Sequence, residues 1–160
     1  MVRQQDASIQ LKRLAIAAAI LIAAATPATG SLGGDAASVQ ADQVHMQGSR
    51  RTMVAKSYTV HEIQAATGTV VREFVSSEGK VFGVAWQGPW PPDMRQVLGS
   101  YFDQFVQAAR SRGGARMGRR PLVINQPGLV VQTGGHMRAF AGRAYVPEML
   151  PSGVGAENIQ

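Results

Sequence analysis

From Tyr58 onward, short apolar and polar positions alternate in runs that predict strands. Tyr58 to Gln64 (YTVHEIQ) is rich in β-branched and aromatic residues, and Thr69 to Ser76 (TVVREFVS) repeats the pattern after a turn at Ala65 to Gly68. Ser77-Glu78-Gly79 fits a three-residue hairpin loop with Gly79 left-handed. That register sets Phe74 opposite Phe82 and Val70 opposite Trp86. It places Phe82, Val84 and Trp86 of a third strand, Lys80 to Gln87, on one side. GPWPPD then stops the sheet, because proline removes a donor and disfavours helix before itself. A helix follows from Asp93 to Arg110. Its apolar residues Met94, Val97, Leu98, Tyr101, Phe102, Phe105, Val106 and Ala109 fall at alternating spacings of 3 and 1, which makes one continuous stripe. The stripe needs an apolar partner, and the Phe82/Val84/Trp86 face is expected to supply it.

Beyond the helix, Ser111 to Arg120 has three glycines and no period, so it reads as a loop. Leu122 to Asn125 predicts a short strand, and Gln126-Pro127-Gly128 a type II turn. Leu129 to Thr133 and His136 to Ala141 predict a hairpin turning at Gly134-Gly135, which Arg143 to Val146 extends. The expected fold class is α+β: a mostly antiparallel sheet of about five to six strands with one long amphipathic helix packed on one face. The α+β domain is placed at residues 57–147 and an irregular C-terminal tail at 148–160. Residues 31–56, with scattered apolar positions, read as a weakly ordered N-terminal segment in which Ser38 caps a short helix through His45.

The first thirty residues follow a different rule. Arg3, Lys12 and Arg13 precede an apolar run of twelve, Leu14 to Ala25, and then the small residues of TPATGS. Basic, apolar, then small is the order of a secretory signal peptide. Twelve helical residues rise about 18 Å, short of the roughly 30 Å hydrocarbon core, so a retained anchor is the weaker alternative. The expected location is periplasmic or secreted, with no transmembrane span after signal cleavage. The chain has no cysteine, which excludes lipoprotein anchoring, disulfides and thiolate chemistry. The net charge of +6 includes the basic leader; the remainder carries 13 basic and 9 acidic residues. This mild excess suits an anionic surface or an envelope protein as partner rather than nucleic acid.

Each candidate for chemistry has a plainer reading beside it. Trp86 and Trp90 could form an aromatic shelf, but alternation explains Trp86 as core and the prolines explain Trp90 as part of the elbow between strand and helix. Trp90 stays a ligand-binding candidate. Arg110, Arg112, Arg116, Arg119 and Arg120, five arginines in eleven residues, can place guanidinium forks on a polyanion or a membrane surface, against the plain reading of a solvated loop. No aromatic interleaves them, which argues against single-stranded nucleic acid. The glycines of the same loop lack the lysine and hydroxyl of a nucleotide cradle. His45, His61 and His136 form no metal-ligand spacing, so neither metal nor cofactor is expected. Glu73 lies between Val71 and Val75 in a strand, where burial would raise its pKa. It and His61 are the candidates if the protein is an enzyme, but no nucleophile, base and oxyanion set assembles around them. The function expected is therefore a small exported, non-enzymatic binding or accessory factor.

The blocks TGTVVREFVSSEGKVFGVAWQGPWPPD, LGSYFDQF and GRAYVPEMLPSG resemble the exported proteobacterial proteins grouped as domain of unknown function 2844, and SLGG with SVQAD is similar to that group's start. The resemblance implies secretion and one small domain. It implies no activity and transfers no catalytic residue.

Overall fold

A computed structural model describes residues 31–111 and 121–160. A single sheet of seven antiparallel strands carries a helical layer on one face. In chain order the elements are α1 (Ala36–His45), β1 (Ser49–Val54), β2 (Tyr58–Gln64), β3 (Val70–Ser76), β4 (Val81–Gly88), α2 (Met94–Leu98), α3 (Phe102–Ser111), β5 (Leu122–Gln126), β6 (Leu129–His136) and β7 (Ala139–Tyr145). The strand order is β1-β2-β3-β4-β7-β6-β5. The chain thus forms two meanders that join where β4 pairs with β7.

The α+β class holds, with seven strands where five to six were expected. The additional strand is β1, in the segment expected to be weakly ordered. Ser49–Val54 is exposed at every position, so it has no buried face to write an alternating pattern. It is held by its ladder to β2, with Arg51 opposite Glu62 and Thr52 opposite His61. α1 also differs from expectation at its start. Its cap is Asp35, whose Oδ1 accepts from the amides of Ala37 (2.9 Å) and Ser38 (3.2 Å). Ser38 lies inside the first turn, buried, with its hydroxyl donating to the Asp35 carbonyl. Asp35→Ala is expected to cost about 1 kcal/mol by leaving those donors without a side-chain acceptor. Urea denaturation monitored by circular dichroism measures it.

The hairpin between β3 and β4 turns at Gly79, whose φ of 80° is left-handed, as expected from the sequence. Its register is not as expected. A bulge between Phe74 and Val75 pairs Phe74 with Gly83, Glu73 with Val84 and Val71 with Trp86. Phe82 is the extra residue of β4, and the slip sends it to the face opposite Val84 and Trp86. Phe82 therefore joins Val60, Phe74, Ala85 and Ile159 in a small cluster on the far face. Tyr58 meets it edge-on, with ring centroids 5.8 Å apart.

Val84 and Trp86 keep the role expected of them. They pack with Val71, Ala144, Ile124 and Val131 against Val97, Leu98, Phe105 and Ala108 of the helical layer. Trp86 is 2% exposed and Phe105 3%. The predicted long helix is interrupted at Gly99, which adopts φ 52° and begins a 3-10 turn through Tyr101. The apolar stripe continues across the break because α3 resumes with Phe102 and Phe105 on the covered side. The second meander differs at its turn. Gly134 and Gly135 lie within β6, and the chain reverses at Met137-Arg138, where Arg138 takes φ 66°. The tail after β7 has only short 3-10 turns at Pro147–Met149 and Ala156–Asn158.

Candidate functional site

Two features of the fold carry polar chemistry, one on each face of the sheet. The first is buried. The arm Ser31 to Gly34 is sewn between α2 and β4: Ser31 and Leu32 amides donate to the carbonyls of Gln96 and Val97, and Gly33 and Val81 amides donate to the carbonyls of Val81 and Gly34. This places the Ser31 hydroxyl 2.7 Å from Glu73 Oε1 and in contact with Asp42 Oδ2 of α1. Asp42 Oδ1 accepts from Gln96 Nε2 at 2.8 Å. Ser31, Asp42 and Glu73 are all buried, Ser31 and Glu73 completely, and Glu73 Oε2 has no hydrogen-bond partner among the described residues.

The hydrogens of this trio can be counted. A hydroxyl has one hydrogen and cannot donate to two carboxylates. Asp42 also accepts from Gln96 on its other oxygen, so one of the two carboxyls must bring its own proton to the Ser31 oxygen. The buried Glu73, which has no second partner to steady a charge, is the one favoured to keep it. Burial raises the Glu73 pKa, and the neighbouring Asp42 raises it further; the Ser31 contact and the Arg50 charge pull the other way, and the result is about 8. The expectation of a burial-raised Glu73 is met. Its hydrogen-bond partner is Ser31 rather than a basic side chain.

His61 is the cross-strand partner of Glu73. The two share the helix-covered face, yet no hydrogen bond joins them among the described residues. His61 Nδ1 instead lies 3.1 Å from the Thr52 hydroxyl. Partial burial, then the charge of Arg50, holds its pKa below the usual histidine range. Beside this cluster, the end of α1, the β2–β3 turn and the prolines of GPWPPD wall a cleft of about 310 Å³, with His45, Asp93 and Gln96 on its lining.

The second feature is a rung that crosses the sheet on the far face. Pairing sets Arg51, Glu62, Arg72, Ala85, Arg143, Gln132 and Val123 in one row across all seven strands. Glu62 accepts from Arg51 Nη2 at 2.7 Å and from Arg72 Nε at 2.8 Å. Burial works to raise the Glu62 pKa, but Arg72, aided by Arg51, outweighs it and holds the carboxyl below its usual range. Arg143 has no carboxylate partner among the described residues. Its Nε donates to Gln132 Oε1 (2.9 Å), and Nη1 donates to the carbonyls of Ala156 (2.5 Å) and Ile159 (3.4 Å). The two arginines thus clasp the C-terminal tail, since Arg72 Nη1 also reaches the Gln160 carbonyl at 3.3 Å. Ile159 seats over Gly83, where a Cβ would come within 2.9 Å of its Cδ1. Beside the clasp no helix or strand among the described residues packs on this sheet face. An open trough of about 480 Å³ lies there, bounded by Arg72, Arg143 and Pro121, with Gln87, Ala141 and Gly134 on its floor.

The residues singled out by sequence are dispersed. Trp90 is 58% exposed and does not line this trough; the elbow is pinned by its backbone, whose carbonyl accepts from the Thr69 hydroxyl at 2.7 Å, rather than by its ring. Arg110 is exposed at the end of α3. Arg112, Arg116, Arg119 and Arg120 lie outside the described residues, as does the leader, residues 1–30. Among the described residues no cluster of metal-ligating side chains occurs, and no helix is long and apolar enough to cross a membrane. Sequence reasoning missed Ser31, Asp42, Arg72 and Arg143. Strand alternation does put Arg72 opposite Val71 and Glu73, but the rung depends on the bulge and on the β4–β7 pairing.

The fold and its polar clusters belong to a small α+β domain with a seven-stranded sheet. Its family is shown by a family model: residues 28–159 match the family described as Protein of unknown function (DUF2844), and the chain belongs to that family. No curated protein and no solved structure matches the chain.

Proposed function

We propose that this is an exported, non-enzymatic binding or accessory protein of the cell envelope. The observation that carries the reading is where the acid–base candidates sit. Glu73 is sealed beneath the helical layer with its one hydrogen-bonded oxygen on Ser31, and His61 is turned to Thr52. A general base must reach the proton it takes, directly or through one water. Glu73 has no exposed surface from which to do so. Among the described residues, the side chains that line the accessible trough are guanidinium, amide, hydroxyl and apolar groups, which can recognise a ligand, and none is a carboxylate or a histidine. The basic-apolar-small order of residues 1–30 supports export.

Cross-linked capture of the epitope-tagged protein from fractionated cells of its own source tests this reading. The expected result is recovery in the envelope or external fraction with one enriched partner or ligand. Recovery in the cytoplasmic fraction alone, or conversion of a captured compound that is lost in Glu73→Gln, would overturn it.

A further inference from the structure

We infer that the trough on the far sheet face binds a small amphiphilic carboxylate, its anionic group on Arg143 and Gln132 and its apolar body over Ala141 and Gly134. The inference rests on the proposed binding function and names the ligand class. It starts from counting donors and acceptors. Gln132 Oε1 is occupied by Arg143 Nε, which leaves the Gln132 amide nitrogen as a donor. Arg143 spends Nε and Nη1 on Gln132 and the tail carbonyls, and its Nη2 has no protein acceptor among the described residues. Arg72 is in the same state, with Nε on Glu62, Nη1 on Gln160 and Nη2 without an acceptor. The rung therefore offers donors and no spare carboxylate, because Glu62 already accepts on both oxygens.

Charge agrees with this count. Three arginines and one glutamate share the row. Arg143 is half-buried, and among the described residues its positive charge is met by neutral acceptors. A half-buried guanidinium is stabilised by a carboxylate, which matches its fork and supplies charge-assisted hydrogen bonds. The tail fixes the arginine in place, so the donor is held before a ligand arrives. Gly134, Ala141, Pro121 and Ile159 give the lining its small and apolar part, beside the polar Gln87 and Thr133. The trough volume of about 480 Å³ lies in the range of small-ligand pockets, roughly 300–1,000 Å³. An apolar body with one anionic end fits both halves of that lining.

The test uses 1-naphthoate as probe and neutral 1-naphthamide as control, with titration calorimetry and the amide NMR shifts of the purified protein. Naphthoate is expected to bind saturably, shifting Gly134 and Ala141 and weakening as salt rises. Naphthamide is expected to bind at least about tenfold more weakly, having lost the charge-assisted contact. Arg143→Gln would also release the tail, so two exposed floor positions serve instead. Gln87→Glu sets a like charge beside the ligand and Ala141→Phe fills the floor; each is expected to weaken naphthoate at least about tenfold with an unchanged melting temperature. Equal binding of the amide, shifts confined elsewhere, or indifference to both substitutions would overturn the inference. Absence of binding while the envelope partner is still captured would overturn the trough alone. Chemical consumption of the probe would overturn the non-enzymatic reading beneath it.

Discussion

Glu73→Gln is expected to stabilise the protein at pH 8–9 and to leave it unchanged near pH 4. In the folded state Glu73 keeps its proton up to about pH 8. In the unfolded chain it returns to an ordinary carboxyl with a pKa of 4.5. Below pH 4.5 both states hold the proton, so the buried acid costs the fold nothing extra. As pH rises from there to about 8, the unfolded chain releases the proton and the folded chain does not. Stability then falls by about 1.4 kcal/mol per pH unit and levels off once the folded acid ionises. Glutamine has the shape of the neutral acid, donates its amide hydrogen to the Ser31 oxygen, and does not titrate. The difference between variant and wild type should therefore be near zero at pH 4.5 and level off on the order of 5 kcal/mol above pH 8. Other titrating groups that face the site, Asp42 from α1, Arg50 from β1 and His61 from β2, are present in both proteins, so the difference isolates Glu73. Denaturant melts at half-unit steps from pH 4.5 to 9 measure it. A difference that stays flat across that range would mean that the trio holds no extra proton.

The same cluster shows how far the sequence could be read. Glu73 was legible alone, because a carboxylate between Val71 and Val75 in a strand sits on a covered face. Its partners were not. Ser31 and Asp42 lie 42 and 31 positions away in a segment with no strong period, and only the docking of the arm on α2 and β4 brings them to Glu73. β2 was legible from its run of β-branched and aromatic residues, and the helical stripe because it has one buried and one wet face. β1 was not, since a strand exposed throughout has no contrast between faces. The slip at Phe82 was hidden for another reason. VFGVAWQ can be divided between two faces in either register, and the bulge is decided by what each face must bury: the Phe74 and Tyr58 rings and Ile159 on one side, and the helix on the other. Glycine misled at the β6–β7 turn, where Gly134 and Gly135 sit in the strand. Arg138, which a sequence reading assigns no positive φ, makes the reversal instead.

Trp86→Ala is expected to destabilise the domain by about 3–5 kcal/mol, the cost of removing a buried aromatic and leaving a cavity. The indole lies in the principal core, 2% exposed, and it crosses onto the backbone of β7. A Cβ built at Gly142 would stand 2.3 Å from Trp86 Cζ2 and 2.8 Å from the Gln132 carbonyl oxygen. Glycine at 142 is thus the seat of the ring, and Gly142→Ala is expected to cost about 2 kcal/mol or more through overpacking. The two changes should not add. With the ring gone, the new methyl loses its two nearest clashes and keeps the one with the Gln132 carbonyl, so the double variant should be more stable than the sum predicts by about 1–2 kcal/mol. Trp86→Phe separates volume from polarity. Trp86 Nε1 is buried without a hydrogen-bond partner among the described residues, a state that costs about 1–3 kcal/mol. Phenylalanine removes that donor while losing part of the ring, so its net cost should stay below about 1.5 kcal/mol. Urea melts of the four proteins of the cycle, with Trp86→Phe as the fifth, measure all of these. Additive costs for Trp86→Ala and Gly142→Ala would show that the ring does not rest on Gly142, and a phenylalanine variant as unstable as alanine would show that the orphan indole nitrogen costs the fold nothing.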